Sequence, residues 1–299
     1  MSQAVEMNII LADADGSDLP DTNPILLAAR NCDLGSDETF AYNTGKRGTR
    51  QQYSCGARKV RDVVSGGFDF YPTEVSLDWI IQRFIGDNIS GFPTGAATPK
   101  ETPVTFVAAI DKGYDNFRIT KLCITELVLS ITEGDLISCR VNCVGSREYN
   151  GYTWPTLSPA PTLDCGDCCA AADCVLSVGG TAYSLKNGTL NINNNMPDII
   201  ENAMYRTRYE YGAMSVGLNA TLGYRSDTAA MYRRGIAGDA AYVEFNTGSK
   251  KYTWTIANLK APGQKIVVPE DGEITIPFTG TGLRTSGAQQ LSIAKANYP

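Results

Sequence analysis

The chain repeats itself, because residues 60–148 resemble residues 212–285 in order and spacing. Two nearly constant offsets relate the copies, 152 (238 minus 86) and 137 (270 minus 133). Their difference of 15 (152 minus 137) predicts one insertion within 88–116 of the first copy. A repeat of this length indicates tandem copies of one β-rich domain. The aligned segments are 64–70 with 216–222, 83–87 with 235–239, 117–122 with 254–259, and 133–139 with 270–276.

The length of the chain suits two domains. Its 299 residues allow two units of roughly 130 residues, each able to bury its own core. The content of 43% hydrophobic and 19% charged residues is typical of a globular protein. Residues 151–173 contain Pro155, Pro159 and Pro161, which interrupt strands and helices. We therefore predict a first domain at 1–150, a linker at 151–173 and a second domain at 174–299.

The absence of histidine argues against several kinds of enzyme. It excludes a Ser-His-Asp or Cys-His nucleophile pair and any imidazole acid, base or metal ligand. Neither a Gly-x-x-x-x-Gly-Lys-Ser/Thr loop nor a strand-linked Gly-x-Gly-x-x-Gly is present. We expect a protein that is not an enzyme and needs no cofactor. A carboxylate-dependent hydrolase is the weakest alternative, because no pair of acidic residues has a distinctive spacing.

Charge and hydropathy limit the expected partners. The net charge of −6 argues against a protein that holds DNA by its phosphates, since such binding needs clustered Lys and Arg. Nowhere do about 18 apolar residues run together, so we expect no membrane insertion. Residues 1–6 do not resemble a secretion signal, which predicts a soluble protein made in the cytosol.

Each copy is predicted to contain one short helix packed on its own sheet. In the first copy Thr73 is the N-cap and Gly86 ends the helix. The spacing i, i+3, i+4, i+7, i+8 gives this helix one apolar face, formed by Leu77, Ile80, Ile81, Phe84 and Ile85. The second helix has a smaller face, with Ser226 as N-cap followed by Ala229, Tyr232, Arg233, Ile236 and Gly238.

The remaining elements are predicted to be strands. The second copy opens with a meander over 174–178, 181–185 and 189–193, in which Asn187-Gly188 is typical of a type I′ turn. The last strand alternates Ile274, Ile276 and Phe278 with polar residues, so one face is core and the other polar. The closing strands are predicted at 117–122, 126–132 and 136–144, and at 252–259, 265–268 and 273–279.

Two long polar segments, 43–62 and 195–212, are similarly placed in the two copies. Connections longer than about 12–15 residues are usually functional or disordered. We interpret the two segments as arms that dock on another molecule, and the alternative is solvated loops. The candidate arm residues are Arg47, Arg50, Arg58, Arg61, Tyr205, Arg206, Arg208 and Tyr209.

Four of the nine cysteines, Cys165, Cys168, Cys169 and Cys174, fall within ten residues. Their thiolates could in principle hold a tetrahedral zinc ion, although structural zinc sites more often pair two separated Cys-x-x-Cys hairpins. Disulfides in a particle that matures outside the cell are a second interpretation. Reduced thiols without a ligand are the default, and Cys139 is expected to be a small buried hydrophobe.

The second copy resembles a known family. The segment Leu190-Asn191-Ile192-Asn193-Asn194-Asn195-Met196 follows Val175-Leu176-Ser177-Val178-Gly179-Gly180-Thr181-Ala182-Tyr183. Together they resemble the tail tube (major tail) proteins of long-tailed bacteriophages, in which a Gly-containing hairpin leads to an Asn-Asn-Asn strand end. The resemblance covers about 174–298, and more loosely the first half through its repeat.

The resemblance implies a fold and a function. The fold is mainly β, with two tandem β-sandwich or barrel domains, each with one flanking helix and a long arm. Subunits of this family form rings that stack into the hollow tube through which DNA is ejected into the host. Two fused copies imply a trimeric ring with six domain positions. The implied partners are other copies of this chain and the tape-measure, tail-terminator and tail-tip proteins, in a virion tail assembled in the host cytoplasm.

On this hypothesis DNA passes through the tube without specific binding, because a polar or acidic wall attracts phosphates little. The candidate lumen residues are Ser138, Arg140, Asn142, Glu273, Thr275 and Thr279, with Arg140 an exceptional positive charge. The arms would then join stacked rings. The alternative function is a tandem β-sandwich decoration module of a virion that recognises a carbohydrate or a receptor.

Overall fold

The computed structural model has a mainly β fold. Among the described residues it contains one α-helix, α1 (Glu74–Ile85), and a short 3-10 helix (Ala171–Asp173). No helix in that part of the chain is long and apolar enough to cross a membrane. The structure describes residues 7–13, 24–42, 57–86, 96–111, 113, 115–151, 153, 160, 162–164, 166–183, 185–199, 203–223, 236–248, 250–263, 274–285 and 289–297.

Strands alternate along both halves of the chain. The first half contains β1 (Met7–Asp13), β2 (Ile25–Ala29), β3 (Asn31–Cys32), β4 (Gly35–Tyr42), β5 (Ala57–Phe70), β6 (Ala96–Ala97), β7 (Phe106–Asp111), β8 (Asn116–Thr132), β9 (Ser138–Gly145) and β10 (Arg147–Asn150). The rest of the chain contains β11 (Thr162–Leu163), β12 (Val175–Val178), β13 (Thr181–Tyr183), β14 (Leu185–Asn193), β15 (Ser215–Gly223), β16 (Ile236–Thr247), β17 (Lys250–Ala261), β18 (Thr275–Gly282) and β19 (Leu291–Asn297).

One antiparallel run of strands crosses both halves, and we call it the ribbon. Its order is β4-β5-β9-β8-β14-β15-β18-β17. A second layer pairs β1 with β2 and β7, and β8 with β7 and β10. In the second half β12 pairs with β13 and β16 in the same way, and β17 pairs with β16 and β19. The pairings of the second half therefore follow those of the first.

The registers of the two halves also correspond. Val64 lies opposite Gly145 across β5 and β9, and Val216 lies opposite Gly282 across β15 and β18. Val216 follows Val64 by 152 residues, and Gly282 follows Gly145 by 137. The two offsets of the sequence repeat therefore relate the strand registers as well.

Strand β8 belongs to both layers. Its residues up to Leu122 pair with β7, from Cys123 onward they pair with β9, and from Glu126 onward also with β14. Lys121 has a φ of 52°, the left-handed backbone conformation, at the point where the strand leaves one layer for the other. The two strands predicted at 117–122 and 126–132 are therefore one continuous strand.

The first helix has the predicted caps and buried face. The Ser76 amide donates to Thr73 Oγ1 at 3.4 Å, and Gly86 ends the helix with a φ of 80°. All five predicted apolar side chains are fully buried. The helix contacts β2 and β8, but it also reaches the second half, where Tyr252 Oη donates to Asp78 at 2.6 Å. The prediction that it packs on the sheet of its own half is therefore confirmed, and the contact with Tyr252 is additional.

The second predicted helix is wrong at its C-terminal end. Ile236 and Gly238 lie in β16, where Ile236 pairs with Ala261. The rest of that helix, from Ser226 to Arg233, lies outside the described residues. The alignment of 83–87 with 235–239 is also wrong, since the first segment ends a helix and 236–239 are strand. Pairing with β17 outweighs the weak apolar face that favoured a helix.

The predicted turn at Asn187-Gly188 is also wrong. Both residues lie inside β14, opposite Thr132 and Ile131 of β8. Because β14 is paired on both sides, continuing the strand satisfies more backbone groups than a local turn would. The strand predicted at 265–268 lies outside the described residues.

The buried apolar side chains form one continuous cluster that includes residues of both halves. Parts of the predicted linker lie along the first half, where the Asp164 amide donates to Leu26 O and the Cys169 amide to Pro72 O. The domain boundaries at 150 and 174 remain predictions.

Candidate functional site: the polar face of the ribbon

One face of the ribbon is polar across both halves of the chain. Ser138 lies opposite Ser130, and Ser130 lies opposite Thr189 where β8 meets β14. The same row continues through Asn219 of β15 to Thr279 of β18. Successive residues of a strand point to opposite faces, so the residues between them are buried. The result is a continuous row of uncharged hydroxyl and amide side chains.

Five of the six predicted lumen residues lie on this face. Ser138, Arg140, Asn142 and Thr275 are half-buried and Thr279 is exposed, whereas their strand neighbours are buried. Those buried neighbours are Cys139, Val141, Ile276 and Phe278. Glu273 lies outside the described residues. The predicted alternation is therefore present in β9 and β18, and the lumen role of these residues remains a prediction.

Arg140 is held in a network of carboxylates. Its guanidinium donates to Asp33 at 2.7 Å, to Asp69 at 3.2 Å and, from Nε, to the Asn142 side chain at 2.9 Å. Burial would raise the pKa of Asp33, but hydrogen bonds from Arg140 and the Gly67 amide outweigh it and lower that pKa. The hydrogen bond to Asp33 raises the pKa of Arg140. The positive charge that looked exceptional in the sequence is thus compensated on the same face.

Glu126 is a second charge on this face, and it bridges the two halves. Its carboxylate accepts hydrogen bonds from Asn142 Nδ2 at 2.6 Å and from Asn191 Nδ2 at 2.7 Å. Sequence analysis missed Glu126 and Asn191, although the alternation within β8 and β14 could have revealed both. It also missed Asp33 and Asp69, whose role depends on the contact with Arg140.

The second arm lies against the first half of the chain. Arg206 is only 5% exposed, its guanidinium donates to Asp198 at 2.6 Å, and its carbonyl accepts from Ser146 Oγ at 2.9 Å. The Tyr205 ring lies 4.8 Å from the Arg147 guanidinium. Tyr209 is partly buried near Arg206. Arg206, Tyr205 and Tyr209 therefore contact other residues of the same subunit.

The other candidate arm residues are distributed differently. Arg208 is 58% exposed and pairs with Glu210. Arg58 and Arg61 belong to β5, where Arg58 is exposed and Arg61 pairs with Asp198. Arg47 and Arg50 lie outside the described residues. The role of the arms in ring stacking remains a prediction, with Arg208 and Arg58 its most accessible described members.

The cysteines are mostly buried. Cys139 is fully buried, which confirms its interpretation as a small hydrophobe. Cys169 and Cys174 are also buried, Cys168 is half-buried, and burial raises the pKa of Cys174 to about 12. Within the described part of the chain, no three potential ligand side chains are arranged to hold a metal ion. Cys165 lies outside that part, so the zinc interpretation stays a prediction.

A groove of about 1040 Å³ opens where β14 ends, β15 begins and β18 ends, beside Asn194, Met214 and Leu283. Tyr209, Tyr211 and Met214 line one side, and residues 99–103 line another. The Tyr211 hydroxyl contacts the carbonyl of Phe84 at 3.4 Å, so the C-terminus of α1 borders the groove. A decoration module that binds a small ligand would need such a groove.

The ribbon thus has one core face and one mostly uncharged polar face, and both halves of the chain contribute to it. Residues 36–282 match the family model of the phage tail tube protein, and the chain therefore belongs to that family. It is a structural component of the phage tail, in which such proteins assemble with other tail components into a tube. A search of curated proteins found no match.

Proposed function

We propose that the chain closes into rings by pairing strand edges between subunits, and that the rings stack into the hollow tail tube. The polar face of the ribbon lines the lumen through which DNA is ejected into the host. The observation that carries this proposal is the uncharged row from Ser138 to Thr279, which crosses the junction of the two halves without interruption. Closing a sheet with one core and one polar face produces a wet interior.

The ring contains three chains and six domain positions, because each chain contributes two copies of one domain. The matching strand pairings and the shared register offsets support this duplication. On this proposal the copies correspond to 1–150 and 174–299, joined by the linker at 151–173.

The lumen lets DNA pass because it offers phosphates little attraction. Hydroxyl and amide side chains carry no charge, and Arg140 is held between two carboxylates. A wall of free Lys and Arg would instead release counterions, bind the backbone and slow its passage.

The arms join stacked rings, and the ends of the tube meet the tape-measure, tail-terminator and tail-tip proteins. Assembly takes place in the host cytoplasm, and the finished tube is part of the virion tail. Arg208 and Arg58 supply the exposed charge for the ring contacts.

Negative-stain microscopy and sedimentation of the purified protein test the proposal. We expect rings and tubes with a central channel, and little retention of double-stranded DNA on the tubes at physiological salt. A monomer that stays monomeric at high concentration and binds a glycan in the groove beside Tyr211 would support the decoration module instead.

A further inference from the structure

Arginine and tyrosine side chains alternate in a stack that joins β8, β10 and the second arm. The guanidinium carbons of Arg118 and Arg147 each lie 4.7 Å from the centre of the Tyr149 ring. The Arg147 guanidinium also lies 4.8 Å from the centre of the Tyr205 ring. We call these four residues the Arg-Tyr stack. Contacts between a guanidinium and an aromatic ring are favourable, so the four side chains hold one another in place.

The strand register places the stack on the face of the second layer that points away from the core. Across β10 and β8, Tyr149 lies opposite Arg118 and Arg147 lies opposite Thr120. Directly opposed residues share a face of the sheet. Ile119, between Arg118 and Thr120, is fully buried on the other face. Because the second layer packs on the core face of the ribbon, the stack and the polar face of the ribbon lie on opposite sides of the subunit.

Arg147 is the most accessible member of the stack. Within the described residues its guanidinium contacts the two tyrosine rings and no carboxylate. Stacking uses the flat face of a guanidinium and leaves the N–H donors at its edge for hydrogen bonds. A side chain that stacking has already ordered also loses less entropy on binding. Arg147 is therefore suited to a bidentate contact with a carboxylate.

The residues beside the stack are short of hydrogen-bond acceptors. Arg61 and Arg206 share one carboxylate, that of Asp198. Each of these two arginines has a buried Nε without a partner among the described residues, and such unsatisfied donors are rare in folded proteins. Ser146, the residue before Arg147, donates to the carbonyl of Arg206 and so connects this pair to the stack. The local excess of positive charge contrasts with the net charge of −6 of the whole chain.

We propose that the Arg-Tyr stack binds an acidic segment of a different protein on the outside of the tail tube. Arg147 binds the carboxylate of an Asp or Glu side chain of that segment. The charge of the patch is complementary to such a partner, and complementary charge favours the correct partner over others.

The stack also supplies a second charge at a distance that suits an extended peptide. Arg118 lies on the same ring as Arg147, so the two guanidinium carbons are at most 9.4 Å apart (4.7 plus 4.7). In an extended segment the side chains of residues i and i+2 share a face and repeat at about 7 Å. Acidic residues at alternate positions therefore place one carboxylate at Arg147 and the next near Arg118.

The position of the stack decides between a protein and DNA as the partner. DNA that passes through the proposed lumen contacts the polar face of the ribbon, which lies on the other side of the subunit from the stack. Only a molecule outside the tube wall reaches Arg147. The proposal rests on the proposed tube for this placement, whereas the binding of an acidic peptide by the stack can be measured without it.

Binding of a labelled peptide of alternating Glu and Thr, followed by fluorescence anisotropy at low salt, tests the proposal. The purified full-length chain is measured before and after tube assembly, and a peptide with Gln in place of each Glu measures the background. We expect the wild-type chain to bind the Glu peptide and not the Gln peptide. Arg147→Gln should weaken the affinity about tenfold, because it removes a hydrogen-bonded charge pair. Arg147→Lys keeps the charge but loses the planar fork, so it should recover only part of the affinity.

Arg30→Gln is the matched control. Arg30 is also exposed and stacked on a tyrosine, at 4.4 Å from the centre of the Tyr71 ring, but it lies outside the Arg-Tyr stack. This variant removes the same charge from the chain and should leave the affinity within about twofold of the wild type. Equal weakening by Arg30→Gln and Arg147→Gln would overturn the proposal, because binding would then depend on net charge alone.

The remaining outcomes separate this proposal from the proposed function. A DNA duplex that displaces the peptide and binds the stack more tightly would overturn the assignment to a protein partner. Arg147→Gln chains that fold but no longer form tubes would show that a second copy covers the stack, which would also overturn it. Wild-type chains that bind the peptide through Arg147 but never form rings or tubes would overturn the tube function and leave the acidic-peptide site intact.

Discussion

The Arg140 guanidinium donates a 2.7 Å hydrogen bond to the Asp33 carboxylate, joining β9 to the turn between β3 and β4. Asp69 holds the other side of the same guanidinium. This pairing makes a cation compatible with the proposed lumen surface, since a compensated charge releases few counterions from DNA.

Removing the two carboxylates that compensate the Arg140 charge should make the tube bind DNA. In the variant Asp33→Asn/Asp69→Asn the Arg140 charge is unpaired, so tubes should retain double-stranded DNA at low salt and release it as salt is raised. Co-sedimentation of DNA with tubes at two salt concentrations measures this. The triple variant that adds Arg140→Gln is the control and should return to the wild-type level. Equal retention by the double and triple variants would contradict the prediction.

The same contact predicts a small pH dependence of stability. The pKa of Asp33 is lowered in the folded state. Its contribution to folding stability is therefore fully present above the unfolded pKa of about 3.9 and is lost as pH falls through the folded pKa. Because Asp33 is largely exposed, we expect Asp33→Asn to lower the free energy of unfolding at pH 6 by about 0.5 kcal/mol. Urea unfolding at pH 6 and pH 2.5 should show this difference disappearing at the lower pH. A difference that persists in acid would assign the effect to another contact.

Gly66 should be far less tolerant of substitution than another ribbon glycine. It has a φ of 123°, and a Cβ there would lie 2.5 Å from the Asp33 carbonyl oxygen. Gly66→Ala should therefore destabilise the fold by about 2 kcal/mol or more. Gly217→Ala is the control, because its Cβ would meet nothing closer than 3.9 Å and should change stability by less than about 0.5 kcal/mol. Urea unfolding compares the two variants, and similar losses would contradict the strain argument.

Local and periodic features of this fold could be predicted from the sequence. The helix at Glu74–Ile85 was predictable because Thr73, Gly86 and the apolar spacing are all local signals. The polar face at Ser138 and Thr279 was predictable because strand side chains alternate with a period of two.

Features that depend on contacts between distant segments could not be predicted. Asn187-Gly188 favours a turn in isolation, but β8 pairs with this segment and keeps it extended. Arg206 belongs to a polar segment whose composition predicts an exposed arm. Its contacts with Asp198 and Ser146 nevertheless hold it within the subunit. Tertiary contacts outweighed the local preference in both cases.

Arg206 and Arg208 of the second arm should have different roles, because Arg206 is buried and Arg208 is exposed. We expect Arg206 to stabilise the subunit and Arg208 to act in ring stacking. Arg206 is only 5% exposed, but its partner Asp198 is 46% exposed and also pairs with Arg61. Arg206→Ala removes buried packing and the hydrogen bond to the Pro197 carbonyl, so it should cost about 1–2 kcal/mol of folding stability. Arg208→Ala should leave the stability of the subunit within about 0.5 kcal/mol, because this side chain is 58% exposed. If the arm joins stacked rings, Arg208→Ala should instead shorten the tubes.

Thermal unfolding and the distribution of tube lengths measure the two effects. A combined Arg206/Arg208 variant would mix them, so the single variants are the informative ones. Tubes of normal length from Arg208→Ala would count against a role of this residue in stacking.

Blocking one backbone donor of β4 should prevent ring closure without unfolding the subunit. Proline at position 38 removes an amide that points away from β5, so the β4–β5 pairing is kept while an incoming strand loses a hydrogen bond and meets the proline ring. We expect Glu38→Pro to sediment as a monomer, with a melting temperature close to that of Glu38→Ala. Glu38→Ala loses the same ion pair with Lys59 but retains the amide, so it should still form tubes. Tubes of normal yield from Glu38→Pro would show that the β4 edge stays uncovered in the assembled particle, whereas a large fall in its melting temperature would show that the Glu38 amide serves the subunit fold.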